Sequence, residues 1–362
     1  MASARAAIIT LVVAAVGGVT FHALSFPAAY LTGSATAVTL YTTLFRQRAV
    51  IPNPLRNVTF AIFGIMLGAG ITPDALTELT TLPLALAGLI SVIAGATGAS
   101  YVVLRQIGGW DRMTSLMGSI PGHFSLVMIV AMENGAAVEK VVLAQALRLI
   151  ALVTLIPFIL GGSNASVMRT VGPEDATLVD VGVTVAIALL AMVLAPRLRI
   201  PAPALMGPML VGAILSGSGA LTLVVPSWLA APAFVFLGAS IGSRFTGIRP
   251  AGLPRMLVAS VGSFIVAVAV AVAIAVAVSY VLGVPLGAVF LAYAPGGLDA
   301  MIALTFLLGF DVAFVAVLHT ARMIILGFSV PLLIPLVRRR WEQHDHAECP
   351  GSADASPPHA TT

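Results

Sequence analysis

The stretch that decides the fold is Ser119-Ile120-Pro121-Gly122-His123-Phe124-Ser125. A second stretch, Tyr293-Ala294-Pro295-Gly296-Gly297-Leu298-Asp299, repeats its Pro-Gly core. Each lies within a long apolar run and interrupts it, because proline removes a backbone donor and glycine tolerates the angles that a break requires. In hydrocarbon, such a break persists only where protein or trapped water satisfies the freed backbone groups. Two breaks in corresponding halves of a chain are typical of a transporter's binding site.

Composition places the chain in a membrane. Of its 362 residues, 59% are hydrophobic and only 9% are charged, and the mean hydropathy is +1.07. Apolar runs long enough to cross a bilayer, which takes about 20 residues, recur from end to end. We therefore predict an all-α polytopic membrane protein. The net charge of +4 then reports topology rather than nucleic-acid binding, and the single cysteine, Cys349, excludes an internal disulfide and a cysteine-rich metal site.

The chain contains an internal duplication, because shifting it by 174 positions aligns its halves without a gap. Pro121-Gly122 then meets Pro295-Gly296, and Arg148 meets Arg322 (322 − 148 = 174). Further matched pairs are Pro27 with Pro201, Gly33 with Gly207, Pro52 with Pro226, Gly64 with Gly238, Gly68 with Gly242 and Pro157 with Pro331. The shift also makes the first apolar run, 6–23, the counterpart of 180–197. We therefore interpret that run as a retained helix rather than a signal peptide.

The duplication divides the chain into four parts. Residues 1–160 form the first membrane repeat, 161–178 a polar linker, 179–337 the second membrane repeat and 338–362 a disordered tail rich in proline, serine and histidine. Each repeat holds six apolar segments, and the fifth is the broken one.

Arginine placement predicts that the second repeat is inverted. The arginine-rich loop at 46–56 corresponds to an uncharged stretch near 220–230, whereas the acidic loop at 74–78 corresponds to the arginine-rich stretch 244–255. By the positive-inside rule the repeats face opposite ways, which requires an odd number of crossings in each. The simplest layout has five spans and one re-entrant hairpin per repeat, both termini in the cytoplasm, the linker outside and the protein in the inner (plasma) membrane. In the competing layout the broken segment crosses fully and another segment does not span.

Two arginines, Arg148 and Arg322, lie near the middle of apolar segments at equivalent positions. An arginine at the bilayer centre costs about 2.5–3.5 kcal/mol, so each needs a partner or an aqueous cavity. Gln145 and His319 precede them by three residues and share their helix faces. Two interpretations stay open. Each guanidinium either binds carbonyl groups freed at the nearby break or grips the carboxylate of an anionic substrate.

The second break carries a carboxylate, Asp299, where the first has Ser125. An acid at this depth is a functional candidate. It could bind Na⁺ or a proton during coupled transport, or it could neutralise Arg322. The asymmetry leaves Arg148 without a matching carboxylate, and we hypothesise that Arg148 is free for a substrate anion.

The breaks supply the remaining candidates. Pro121 and Pro295 are the helix breakers, and main-chain amides beside the glycines suit an anion at a helix N-terminus. The candidate substrate contacts are Ser119, Gly122, His123, Ser125, Gln145, Arg148, Gly296, Gly297, His319 and Arg322. For His123, donation to substrate or proton relay competes with a purely structural role. For the glycine pairs Gly64/Gly68 and Gly238/Gly242, we predict close helix packing.

The paired segments 27–33 and 201–207, with Pro295-Gly296-Gly297-Leu298-Asp299 followed by His319-x-x-Arg322, resemble the AbrB membrane protein family over residues 6–337. That family is distinct from the soluble DNA-binding AbrB transition-state regulators, and its members carry names such as regulator of gene expression or ammonia monooxygenase. More distantly, the pattern is similar to inverted-repeat carriers such as glutamate, citrate and bile-acid-type transporters. The sequence argues against this chain acting directly as a monooxygenase or as a DNA-binding regulator. The membrane histidines lack ligand spacing, and no basic recognition element is present.

The resulting prediction is a secondary carrier of a small organic anion rather than an enzyme, working by alternating access about the two breaks. Coupling to Na⁺ or H⁺ is assigned to Asp299. The alternative is a membrane regulator or sensor that binds a ligand at the same place without net transport and affects gene expression indirectly. We expect the lipid bilayer as surroundings and no cofactor, metal or nucleic-acid partner, and we leave a homodimer open.

Overall fold

The chain folds as an all-α membrane protein. The computed structural model describes residues 2–70, 82–122, 124–160, 171–172, 176–198, 200, 202–247 and 253–348. The α-helices in these ranges are α1 (Ala2–Ala23), α2 (Ala29–Leu44), α3 (Asn53–Ala69), α4 (Leu82–Gln106), α5 (Arg112–Ser119), α6 (Phe124–Glu133), α7 (Val138–Leu160), α8 (Leu178–Leu194), α9 (Pro203–Gly217), α10 (Ser227–Gly242), α11 (Leu253–Leu282), α12 (Leu286–Tyr293), α13 (Leu298–Leu308) and α14 (Val312–Glu348). Short 3₁₀ helices, Ala195–Leu198 and Ser243–Phe245, follow α8 and α10.

The helices repeat at the spacing found in the sequence. Helices α5 and α12 begin 174 residues apart, at Arg112 and Leu286, and α7 and α14 begin at Val138 and Val312 with the same separation. Even an unusual backbone geometry is copied, because the residues before α2 and α9 have positive φ angles, 50° at Ala28 and 47° at Ala202. Helices α8–α14 therefore repeat the order of helices α1–α7.

Seven helices in the described ranges are long and apolar enough to cross a bilayer. These candidate spans are Ala4–Ala23, Leu82–Gln106, Val138–Leu160, Leu178–Leu198, Ser227–Phe245, Pro254–Leu282 and Val312–Arg338. The two broken segments are pairs of short helices, of 8 and 10 residues in the first repeat and 8 and 11 in the second. At about 1.5 Å of rise per residue, none of these four helices crosses a core about 30 Å thick alone.

Glycines hold the two copies together through the centre of the molecule. A Cβ atom at Gly68 of α3 would overlap the Met209 carbonyl oxygen of α9, and one at Gly242 of α10 would lie 2.8 Å from the Ala35 carbonyl oxygen of α2. The same exchange of partners holds for Gly64 and Gly238. Small residues that let backbones approach closely are the usual basis of helix packing in membranes. The structure thus places these glycines in the packing role expected from the sequence.

We call α2, α3, α9 and α10 the central layer. Helices outside this layer hold the broken segments in place. Helix α4 packs on α11, and α12 is tied to α4 by Tyr293, whose hydroxyl donates to the Ala85 carbonyl oxygen at 2.7 Å. In the first repeat, α5 begins at a side-chain cap, because the Asp111 carboxylate accepts a hydrogen bond from the Thr114 amide at 2.8 Å. Each short helix that leads into a break is therefore anchored.

Two features differ from or add to the sequence-based division of the chain. Helix α14 continues through the arginine run to Glu348, so the predicted disordered tail is helical up to that residue. In the predicted linker, Val171 exchanges backbone hydrogen bonds with Val225 at 3.2 and 2.9 Å. The rest of the linker, apart from 171–172 and 176–178, and the tail beyond residue 348 lie outside the described residues.

Candidate functional site

The two breaks meet inside the molecule. Gly122 has a φ angle of +81°, a left-handed conformation that favours glycine. A Cβ atom at Gly122 would lie 3.7 Å from the Gly296 carbonyl oxygen and 3.6 Å from Cδ of Arg322. Gly122 and Gly296 are equivalent in the duplication, so the turns of the two repeats face each other at close range.

At the first break, a buried polar pair on α7 binds the carbonyl groups that end α5. Arg148 donates from Nη2 to the Ile120 oxygen at 3.1 Å and to Oε1 of Gln145 at 2.6 Å, and from Nη1 to the Ser119 oxygen at 3.5 Å. Gln145 Nε2 donates to the carbonyls of Ile120, at 2.9 Å, and Met117, at 3.3 Å. Both side chains are about 97% buried, at 3% relative exposure. The pair satisfies carbonyls that a broken helix leaves without amides.

The second break repeats this arrangement on α14. Arg322 donates to the carbonyls of Ala294, at 2.6 Å, and Ala292, at 2.8 Å. His319 Nε2 lies 3.0 Å from the Leu291 oxygen, and because a carbonyl only accepts, that nitrogen carries the proton. Both side chains are buried. The arginines and their neighbours therefore perform equivalent structural work in the two repeats.

The two arginines nevertheless differ in whether a donor remains available for a further ligand. Arg148 is engaged by two carbonyls and Gln145, so it is not free as we hypothesised from the missing carboxylate. Arg322 lines a cavity, and its Nε atom is buried without a hydrogen-bond partner among the described residues. A buried unpaired donor is costly, so Arg322 is the better candidate for an anion.

Asp299 is paired with a residue that the sequence did not mark as part of the site. Its Oδ2 lies 3.9 Å from Nη2 of Arg244, with the side chains 18% and 23% exposed. The ion pair thus joins Asp299 to Arg244 instead of the Arg322 expected as one alternative. Arg244 lies in the 3₁₀ helix after α10, and its guanidinium carbon is 5.1 Å from the centre of the Phe124 ring, which begins α6. From the sequence, Arg244 is interpreted only as an indicator of topology.

Arg244 and Asp299 line a cavity of about 770 Å³ beside the breaks. Three arginines and one carboxylate lie on its wall, which favours an anion. The lining includes Arg56, Asn57, Phe60, Gly122, Phe124, Arg244, Gly296, Gly297, Asp299, His319 and Arg322. Apolar side chains, among them Met192, Met323 and Leu326, form much of the rest.

The remaining candidates stand at different distances from this cavity. Ser119, Gln145 and Arg148 lie behind the wall, and the Ser119 hydroxyl donates to the Leu116 carbonyl at 2.8 Å. His123 lies outside the described residues. Ser125 is in α6, but its side chain is not described. Among the described residues, no group of three or more His, Cys, Asp or Glu side chains has the arrangement of a metal site.

Three positions of the cavity lining have buried counterparts in the other half. Arg56, Phe60 and Met323 line the cavity, and their counterparts 174 positions away are Ala230, Phe234 and Leu149. Those three counterparts are buried, with 0%, 0% and 5% exposure. At these three positions the two halves of the chain therefore differ.

Comparison with known proteins identifies the family. Residues 30–338 match the family model AbrB, described as transition state regulatory protein AbrB. The chain belongs to the AbrB family. The AbrB match spans both breaks and both buried arginines, and it confirms the resemblance inferred from the motifs.

Two AbrB relatives cover most of the chain. One is the "Putative regulator AbrB" of Escherichia coli (strain K12), 26% identical over 333 residues, which are 88% of this chain and 91% of that protein. The other is the "Uncharacterized protein YhjN" of Bacillus subtilis (strain 168), 31% identical over 301 residues, which are 76% of each. The similarity therefore extends over both repeats.

Proposed function

We propose that this protein is a secondary carrier of a small organic anion that works by alternating access about the two breaks. The observation that carries the proposal is the meeting of Gly122 and Gly296 beside a cavity with Arg244, Asp299 and Arg322 on its wall. Broken backbone within a membrane is tolerated where it lines a cavity, and half-helix ends at such breaks bind ions.

The buried counterparts of Arg56, Phe60 and Met323 support the mechanistic part of the proposal. If the second repeat is inverted, as the arginines predict, exchanging the conformations of the two halves would close this cavity and open an equivalent one on the other side. Arg56 and Arg244 belong to segments that the positive-inside rule assigns to the cytoplasm. The present conformation then faces inward, in an inner membrane with both termini cytoplasmic.

Asp299 is the proposed coupling residue, for Na⁺ or a proton. It is a carboxylate in the first turn of α13 and part of the cavity wall. Acidic residues within membrane segments commonly mark ion pathways and proton relays.

Uptake by purified protein in proteoliposomes tests the proposal. The probes are radiolabelled acetate, benzoate, succinate, citrate and glutamate, each offered with an inward Na⁺ gradient, an inward proton gradient or neither. Accumulation of one of them that requires a gradient and is lost in Asp299→Asn supports the carrier. Absence of accumulation for all five under every gradient contradicts a carrier of this anion class.

A membrane sensor is the second candidate, and the regulator name of the Escherichia coli relative favours it. A sensor would use the same cavity without net flux. Saturable binding of a labelled anion, with no gradient-driven accumulation by the same preparation, is the result that selects the sensor.

A further inference from the structure

Arg244 joins the two break segments, although it belongs to neither. It projects from the 3₁₀ helix Ser243–Phe245 after α10, in the central layer. From there its guanidinium reaches Asp299 in the second repeat's broken segment, at 3.9 Å, and the ring of Phe124 in the first repeat's broken segment, at 5.1 Å. A change in what Arg244 binds would therefore be felt at both breaks.

The contact between Arg244 and Asp299 is loose. A direct charge-assisted hydrogen bond has a nitrogen–oxygen distance of about 2.7–2.9 Å, and this one is 3.9 Å. Both side chains keep part of their surface open to the cavity. Within the described part of the chain, no group accepts a hydrogen bond from the Arg244 guanidinium, which has five N–H donors. An incoming carboxylate can therefore offer Arg244 better hydrogen bonds than Asp299 does.

We propose that Arg244 is exchanged between Asp299 and the carboxylate of the substrate. This inference rests on the proposed carrier function and deepens it. When a carboxylate binds Arg244 bidentately, Asp299 loses its partner and becomes available to the coupling cation. Substrate and cation then favour each other's binding by the same factor, because a coupling between two binding sites is reciprocal.

The charges around Asp299 are compatible with this exchange. Besides Asp299, the charged and titratable side chains that line the cavity are Arg56 on α3, Arg244 after α10, and His319 and Arg322 on α14. Arg148 on α7 and Tyr293 on α12 are buried nearby but are not part of the lining. Arg148, His319 and Arg322 are bound to main-chain carbonyls at the breaks, so they are held in place. No carbonyl among the described residues holds Arg244 or Arg56. Of these two, Arg244 is the one that pairs with Asp299, so its movement would release that carboxylate.

A cation titration of purified protein tests the exchange without a known substrate. The probe is Na⁺ alone, introduced by replacing choline chloride with NaCl at constant ionic strength, and the readout is the melting temperature. A parallel series in choline chloride, taken from neutral to acidic pH, tests a proton in place of Na⁺. The proteins are wild type, Arg244→Gln, Asp299→Asn and the double variant, with Arg255→Gln as a control for the loss of an exposed arginine outside the cavity.

We expect Arg244→Gln to mimic the substrate-bound state. The concentration of the effective cation needed for half of the maximal shift should fall about tenfold relative to wild type, as for an ordinary coupling between sites. Asp299→Asn and the double variant should lose the shift, and Arg255→Gln should behave as wild type. If Arg244→Gln and the double variant respond identically to both cations, the exchange is overturned.

The two proposals can fail separately. Gradient-driven uptake, together with identical responses of Arg244→Gln and the double variant, leaves the carrier standing and removes the exchange. A cation response that Arg244→Gln gains and the double variant loses, in a protein that accumulates none of the five anions, supports the exchange and removes the carrier.

Discussion

Gly122 and Gly296 face each other so closely that a Cβ atom on the first would lie 3.7 Å from the carbonyl oxygen of the second. They are 174 residues apart and occupy the same position in the two repeats. The contact brings together two helix ends whose carbonyls are bound by buried arginines. Within a membrane, broken backbone is tolerated only where it is buried in protein or lines a water-filled cavity.

The first prediction concerns the conformation of Gly122. Its φ angle of +81° is unfavourable for any residue with a Cβ atom, by about 1–2 kcal/mol. We expect Gly122→Ala to lower the free energy of unfolding by about that amount and to reduce anion uptake, because the turn beside Arg322 must shift. Thermal melting and proteoliposome uptake measure the two effects.

Gly98→Ala is the matched control, because Gly98 lies in helix α4 with a negative φ angle and open space where its Cβ would be. It should leave uptake unchanged and should not lower the melting temperature. Equal effects of the two substitutions would mean that the backbone geometry at the break is not what matters.

The second prediction separates the two buried arginines. Arg148→Gln removes the donor to the Ser119 carbonyl and to Oε1 of Gln145, whereas the Ile120 carbonyl keeps its bond from Gln145, and each buried unpaired group costs about 1–3 kcal/mol. Arg322→Gln does the same at the second break, but it also removes a guanidinium from the cavity wall. Both variants should therefore have a lower melting temperature than wild type, whereas only Arg322→Gln should weaken anion binding.

Succinate and benzoate serve as the anions, and the shift of the melting temperature that each produces is compared among the three proteins. Preserved shifts in Arg148→Gln with reduced shifts in Arg322→Gln are expected. The opposite pattern would mean that Arg148, and not Arg322, binds the anion.

The sequence predicted much of this fold because the duplication leaves the same residues in both copies. The pairs Pro121/Pro295 and Arg148/Arg322 located the breaks and the helices that satisfy them, since a buried charge and a broken helix each need a partner. The packing of Gly64 and Gly68 on another helix followed from their spacing. None of these inferences required knowledge of which helices pack against each other.

The site itself was harder to predict, because its decisive contact joins two charged residues whose counterparts in the first repeat are uncharged. Arg244 corresponds to Gly70, and Asp299 corresponds to Ser125, so the offset gives no indication that Arg244 and Asp299 meet. An arginine after a membrane helix ordinarily indicates a cytoplasmic end, and for that reason Arg244 was not predicted to be part of the site. The extension of α14 to Glu348 was missed because a polar, charged composition also suits disorder.

The third prediction concerns pH and the start of α5. Burial acts to raise the pKa of Asp111, but the hydrogen bonds from Thr114 and the nearby charge of Lys140 outweigh it and hold the pKa below its ordinary value of 3.8. A carboxyl whose pKa is lowered by folding stabilises the protein above its unfolded pKa, and this stabilisation is lost as the pH falls through the folded pKa.

Asp111→Asn keeps a residue that caps helices well but removes the charge. We expect the melting temperature of wild type to exceed that of Asp111→Asn by a constant amount at neutral and mildly acidic pH, and the difference to shrink below about pH 3.8. A difference that stays constant through this acidic range would show that the ionised carboxylate does not stabilise α5.

The last prediction tests the inversion of the second repeat. Gln106 ends α4 and Tyr280 lies near the end of α11, at equivalent positions, and both are exposed. With Cys349 replaced by serine, Gln106→Cys and Tyr280→Cys are each the single cysteine of the chain. Because arginines flank Gln106 and not Tyr280, the positive-inside rule places the first in the cytoplasm and the second outside.

An impermeant maleimide should label Tyr280→Cys in intact cells, whereas Gln106→Cys and the native Cys349 should react only after the membrane is permeabilised. Labelling of both introduced cysteines from one side would mean that the repeats are parallel, and exchanging the two halves could then no longer move the cavity across the membrane.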